Sequence, residues 1–146
     1  MGRVADLIRA KGRTVHSIES GATVYEAVTR MVDRNVGSLL VVDGDEIRGI
    51  ITERDYLREI ALKGRTSKTT PVREIMTAKL VCVGPNHSIE ECMAIMTEQR
   101  IRHLPVLEDS RLAGIVSIGD LVKQLSKDQK FEIQYLTDYI TGKYPA

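Results

Sequence analysis

The sequence predicts an α/β (α+β) protein built from two pseudo-symmetric β-α-β-β-α units packed on each other, followed by a C-terminal helix. Three observations predict this. A shift of 65 positions lays Thr14–Ala61 on Lys79–Ser126 without a gap, so that Glu26, Met31, Leu39, Val41, Gly49, Ile50 and Asp55 meet identical residues. Within each copy the apolar pattern alternates between helical spacing and short, nearly continuous β-rich runs. Cap and turn residues also punctuate both copies at matching positions. Each copy is only about 48 residues long, too short for a robust core of its own, so the two are expected to share one.

The elements follow in order. Residues 1–13 form an amphipathic lead-in, 14–62 the first repeat, 63–78 a linker, 79–126 the second repeat and 127–146 the appended helix. A short strand opens each repeat, near Val15–Ile18 and Leu80–Val83. Thr23 and Glu26, like Ser88 and Glu91, are spaced as a capping box. Each box precedes an apolar stripe, Val24, Ala27, Val28, Met31 and Val32 in one copy and Ile89, Cys92, Met93 and Met96 in the other. Leu39–Val42 and Ile47–Thr52, joined through Asp43-Gly44-Asp45, read as a hairpin, as do Leu104–Leu107 and Leu112–Ser117 around Glu108–Ser110. Their near-continuous apolar character suits strands covered on both faces. A second helix is expected over Glu53–Leu62 and over Ile118–Leu125. In the linker, Pro71 after Thr70 reads as a short helix with Thr70 as cap and Pro71 at its first position. Val4–Lys11 and Val72–Lys79, the segments ahead of the two repeats, echo each other. Phe131, Tyr135, Leu136, Tyr139 and Ile140 share one face of the appended helix.

Composition narrows the function. A net charge of +1 gives no bulk attraction to nucleic acid or anionic membranes. No apolar run reaches the roughly 18 residues of a membrane span, and the lead-in has no apolar signal-peptide core, so the chain reads as cytoplasmic. Cys82 and Cys92 lack metal-ligand spacing and read as small core or near-core residues. His16, His87 and His103 have no carboxylate or cysteine at ligand spacing, so no metal is expected. Phosphate-loop, dinucleotide, zincin and nucleophile-elbow motifs are all missing, which argues against an enzyme and leaves no candidate catalytic residue.

The sharpest local signal is Gly49-Ile-Ile-Thr-Glu-Arg-Asp55 and its copy Gly114-Ile-Val-Ser-Ile-Gly-Asp120, both Gly-h-h-[Thr/Ser]-x-x-Asp at a strand-to-helix junction. Free N–H groups at a helix start suit a phosphate. The Thr52 or Ser117 hydroxyl adds a hydrogen bond, and an ionised Asp55 or Asp120 offers two acceptors to the hydroxyl pair of a ribose. The same [Thr/Ser]-x-x-Asp spacing also suits an acidic capping box, in which the aspartate closes on its own helix. Arg102 and His103 stand before a buried strand, where Arg suits phosphate. Gly37 and Ser38 replace them in the first copy, and Gly37 lets a flat base approach. Arg54 reads as aimed at phosphate and Arg58 as surface.

These two motifs, with Asn35-Val-Gly-Ser-Leu-Leu-Val-Val, Arg100-Ile-Arg-His-Leu-Pro-Val and Glu74-Ile-Met-Thr77, resemble a tandem pair of CBS domains, the cystathionine-β-synthase-type regulatory repeat, over about residues 4–126. The resemblance implies a stand-alone, non-catalytic regulatory protein that binds adenine nucleotides between its repeats, dimerises and signals to an unidentified partner. One implied cleft uses Ile115, Ser117, Asp120, Arg102 and His103, walled by Lys11, His16, Val36 and Gly37 from the first copy. The other uses Ile50, Thr52, Arg54 and Asp55, walled by Thr77, Val81, Ile101 and Arg102. AMP is the first candidate ligand, with ADP, ATP and NAD(H) as others. The alternatives are an S-adenosylmethionine sensor and an interaction module whose clefts stay empty.

Overall fold

The computed structural model describes residues 2–126, and the helix expected over 127–146 lies outside them. The chain divides into two units: Val15–Leu80 forms one, and the residues up to Thr14 join those from Val81 onward in the other. Each unit has its own cluster of buried apolar side chains.

In the unit of the first repeat, β1 (Ser17–Ile18) pairs in parallel with β2 (Ser38–Asp43), which pairs antiparallel with β3 (Glu46–Thr52). α2 (Val24–Arg34) lies between β1 and β2 in the chain, and Thr23 Oγ1 accepts the Glu26 N–H at its start. The helix ends at Asn35 in the left-handed conformation, where Asn is better tolerated than most residues. Val24, Ala27 and Met31 of the predicted stripe are buried beside Leu39, Val41 and Ile51, whereas Val32 points outward. The second helix departs from expectation. α3 (Glu53–Tyr56) passes into one wide π turn over Leu57–Ala61, with the Leu62 N–H on the Leu57 carbonyl, and this turn carries Ile60 into the core. The short linker helix forms, but its cap is Pro71 rather than Thr70. It is a single 3₁₀ turn, Val72–Glu74, and buried Thr70 turns its hydroxyl back to the Thr66 carbonyl. Val72 and Ile75 complete this core.

In the unit of the second repeat, α1 (Val4–Lys11) brings Val4, Leu7 and Ile8 to a core with α4 (Ile89–Gln99), β4 (His103–Glu108), β5 (Arg111–Ser117) and α5 (Ile118–Leu125). The first N–H groups of α1, from Val4 and Ala5, find partners in the His87 and Pro85 carbonyls. Ser88 and Glu91 make the reciprocal capping box in full, and Cys92 is buried, which pushes its thiol up to about 11. β4 and β5 form a two-stranded hairpin whose turn, Asp109-Ser110, is left-handed at both residues. Its register shifts between Val106 and Leu107, 65 positions after the same shift between Val41 and Val42.

The strand expected over Leu80–Val83 is reduced to one parallel bridge, Val83 to Val106. The reason is Pro105. In the first repeat the Leu40 N–H donates to the His16 carbonyl and extends the β1–β2 ladder. Pro105 occupies the equivalent position and has no N–H to give Val81. What remains is the pair flanking it, the Val83 N–H on the Pro105 carbonyl and the Leu107 N–H on the Val83 carbonyl.

The echo between Val4–Lys11 and Val72–Lys79 has a packing meaning. The segment ahead of the first repeat completes the core of the second, and the segment ahead of the second completes the core of the first. Each small repeat thereby reaches a workable core with a borrowed piece of chain.

Candidate nucleotide half-sites

β5 ends at Ser117, which caps α5, and Asp120 lies one turn in. The Asp120 N–H donates to Ser117 Oγ at 3.1 Å, and the Ser117 N–H donates to Asp120 Oδ2 at 2.8 Å. Both arms of an acidic capping box are therefore made. Lys11, the last residue of α1, sends its ammonium to the same Oδ2 at 2.6 Å and to the Ile115 carbonyl at 2.8 Å. Among the described residues, Oδ1 of Asp120 accepts no hydrogen bond, and the side chain keeps 24% of its surface open. Arg102 precedes β4, and its carbonyl accepts the Ile118 N–H at the start of α5. His103 pairs with Ser117 across the hairpin. Burial, with Arg102 and Lys11 nearby, pushes the His103 imidazole down to about 4 against the pull of Asp120, so at neutral pH the ring is uncharged. Val81 and Ile101 pack partly buried against this unit's core.

The first repeat builds the counterpart differently. The Asp55 N–H donates to Thr52 Oγ1 at 3.1 Å, and the Thr52 N–H donates to Asp55 Oδ2 at 3.0 Å. Here the other oxygen is taken as well: Asp55 Oδ1 accepts from Arg58 Nη2 at 3.0 Å and from Thr77 Oγ1 at 3.3 Å. Asp55 is only 2% exposed. Thr77 and Ile50 exchange both backbone hydrogen bonds, at 3.0 and 2.8 Å. The Glu53 N–H donates to the Gly37 carbonyl, repeating the Ile118–Arg102 bond of the other unit. His16 lends its carbonyl to Leu40, and Val36 is half-buried against the core. Arg54 lies exposed on α3.

The sixteen candidate residues thus gather as two sets. Lys11, Val81, Ile101, Arg102, His103, Ile115, Ser117 and Asp120 belong to one unit, and His16, Val36, Gly37, Ile50, Thr52, Arg54, Asp55 and Thr77 to the other. Two lead-in residues change sides relative to expectation: Lys11 is held by the second repeat and Thr77 by the first. Sequence reasoning read Arg58 as surface, and it is 56% exposed, but missed its i,i+3 ion pair with Asp55. It also missed what the motif glycines face. A Cβ on Gly49 would lie 2.6 Å from the Thr77 carbonyl oxygen, and one on Gly114 would lie 2.6 Å from Ile8 Cδ1. Both glycines make room for the borrowed segment.

Among the described residues there is no cluster of His, Cys, Asp or Glu fit to hold a metal, and no helix is long and apolar enough to cross a membrane.

Comparison with known proteins agrees with this construction. The family model described as the CBS domain matches residues 4–62 and 72–127. The chain is 43% identical over 150 residues to the mitochondrial CBS domain-containing protein CBSX3 of Arabidopsis thaliana, covering 97% of this chain and 73% of that protein. A solved CBS-domain protein from Burkholderia ambifaria MC40-6 superposes with a TM-score of 0.84 at 52% identity, over 87% of this chain and 96% of its own. A CBS-CP12 protein from bloom-forming cyanobacteria, described as hexameric, has a TM-score of 0.74 at 31% identity, over 82% of this chain and 66% of its own. Two repeats with one cap geometry, each finished by the other's lead-in and each matched by the family model, make this chain a member of the CBS-domain family with two CBS domains in tandem.

Proposed function

We propose that this chain is a non-catalytic adenine-nucleotide sensor, acting in the cytoplasm on a partner protein, with its principal anchor at Asp120. One observation carries the reading: Asp120 presents an open carboxylate oxygen beside Lys11, at the start of a helix whose Ser117 cap is in place. The open Oδ1 of Asp120 can accept a ribose hydroxyl without first displacing a protein donor, and the second hydroxyl competes with Lys11 for Oδ2. The family's regulatory use of adenine nucleotides supports the choice of ligand, with AMP first and ADP, ATP and NAD(H) as competitors. Asp55 has the same residue type in the same cap but is already bonded through both oxygens, so a ligand there has to displace Arg58 or Thr77 first. The Asp120 side is therefore the tighter. Titration calorimetry of the full chain with AMP, ADP, ATP, NADH and S-adenosylmethionine tests the reading. A micromolar ligand is expected, weakened on the order of ten- to hundredfold by Asp120→Ala, the worth of one or two charge-assisted hydrogen bonds. Unchanged affinity in that variant refutes the anchor.

A second reading, compatible with the first, is a homodimer through the first repeat. α2 leaves Val32 73% exposed and Tyr25 44% exposed, with Val28 and Tyr56 beside them. Glu26, Arg30, Asp33 and Arg34 flank this apolar strip with alternating charge. A patch of mixed sign with an apolar centre is suited to meet its own copy across a two-fold axis. Light scattering is expected to give twice the chain mass for wild type and a single chain for Val32→Asp. An unchanged mass in the variant removes this interface.

A further inference from the structure

The Lys11 ammonium sits where a ligand bound through Asp120 has to come. It reaches across 109 positions of chain to Asp120 Oδ2 and shares itself with the Ile115 carbonyl, while its side chain remains 34% exposed. It neutralises the one carboxylate of this half-site. A sugar that takes over the oxygens of Asp120 leaves Lys11 short of a counter-ion. Lysine is a compact charge on a flexible four-carbon stem, so its ammonium can follow a new anion.

We propose that Lys11 reads ligand charge at this half-site: when the ribose engages Asp120, the ammonium passes to the ligand's phosphate, so that phosphorylated adenosines are accepted and uncharged or cationic ones are disfavoured. The inference rests on the reading of Asp120 as the ribose anchor. With AMP, Lys11 exchanges one anion for another. With adenosine, the Lys11–Asp120 pair is loosened and nothing replaces it. With S-adenosylmethionine, the sulfonium enters beside an ammonium already short of a partner, and Arg102 adds a second positive charge nearby. His103, uncharged at neutral pH, contributes no charge of its own. Lys11 thereby sets the class of ligand, and Asp120 sets the fact of binding.

The test is calorimetry at low, fixed salt on the full chain, with AMP, adenosine and S-adenosylmethionine against wild type, Lys11→Met and Lys11→Arg, each first shown by melting to be folded. Wild type is expected to bind AMP at least tenfold tighter than adenosine. Lys11→Met is expected to bring that ratio to within about threefold of unity, by weakening AMP and sparing or tightening adenosine. Lys11→Arg is expected to keep the preference, and raising the salt is expected to erode it in wild type but not in Lys11→Met. A wild-type AMP-to-adenosine ratio retained by Lys11→Met, or lost by Lys11→Arg, overturns the charge-reading role. It leaves the ribose anchor standing, provided Asp120→Ala still weakens AMP. If none of the three ligands binds wild type, the anchor fails and the role of Lys11 fails with it.

Discussion

Asp55→Ala is expected to lower the unfolding free energy by about 3 kcal/mol, whereas Asp120→Ala is expected to lower it by only about 1 kcal/mol. The two residues are equivalent in the repeat and in their cap geometry, and the difference comes from their surroundings. Asp55 is 2% exposed and satisfies three donors: the Thr52 N–H, Arg58 and the Thr77 hydroxyl. Truncation leaves the first and last without their acceptor inside the protein, at a cost of about 1–3 kcal/mol for a buried group. The Thr52 cap on the residue-55 N–H survives, but removing a carboxylate from the first turn of α3 adds up to about 1 kcal/mol. Arg58 is discounted, because it is 56% exposed and water takes the carboxylate's place. Asp120 is open on one side, so water can reach the Ser117 N–H when the carboxylate goes. For a chain near 150 residues the loss at Asp55 corresponds to a melting shift of roughly 6–12 °C. Urea unfolding of both variants and of Asp55→Asn, which keeps an acceptor in place, measures the contrast. Equal losses at the two aspartates would show that the Asp55 network contributes nothing beyond a cap.

The repeat was legible because identical spacing survives in both copies, and from it followed the hairpins, the capped helices and most of each core. Leu39, Met31 and Val41 are buried, as are Leu104, Met96 and Val106. What escaped prediction depends on partners remote in sequence or on backbone chemistry within one copy. Pro105 reads as an ordinary strand residue until its missing N–H is set against the Leu40–His16 bond. The π turn at Leu57–Ala61 leaves no mark in residue spacing, since it adds a residue to a turn without changing composition. At the candidate site, residue types and positions were readable but allegiance was not. Lys11 meets Asp120 because α1 packs on the second repeat, and no local pattern encodes that. The choice between cap and ribose anchor was posed by the spacing. The structure shows the cap made in both copies and, of the two motif aspartates, a carboxylate oxygen without a hydrogen bond from the described residues only at Asp120.

Gly49→Ala is expected to destabilise by about 3 kcal/mol and Gly114→Ala by about 1 kcal/mol, although both glycines open the same motif. Neither glycine has a positive φ, so the backbone itself tolerates alanine and the cost is one of room. At Gly49 the new methyl would lie 2.6 Å from the Thr77 carbonyl oxygen and 3.2 Å from Met76 Sδ. That carbonyl accepts the Ile50 N–H, while the Thr77 N–H donates to the Ile50 carbonyl, so the obstructing backbone is tied on both sides. It can retreat only by breaking the bridge, and Thr77 would carry its bond to Asp55 away with it. At Gly114 the obstacle is Ile8 Cδ1, the far end of a side chain, with its Cγ1 already at 3.7 Å. A rotamer change or a shorter residue removes that clash. Ile8→Val, mildly destabilising alone by about 1 kcal/mol, is therefore expected to recover most of the Gly114→Ala loss when the two are combined, giving a favourable coupling in a double-mutant cycle. Met76→Ala is expected to recover little of the Gly49→Ala loss, because the nearest atom there belongs to backbone. Equal single losses, or an equally effective rescue at Gly49, would mean that the Thr77 strand yields as readily as a side chain and that the motif glycine is not there to admit it.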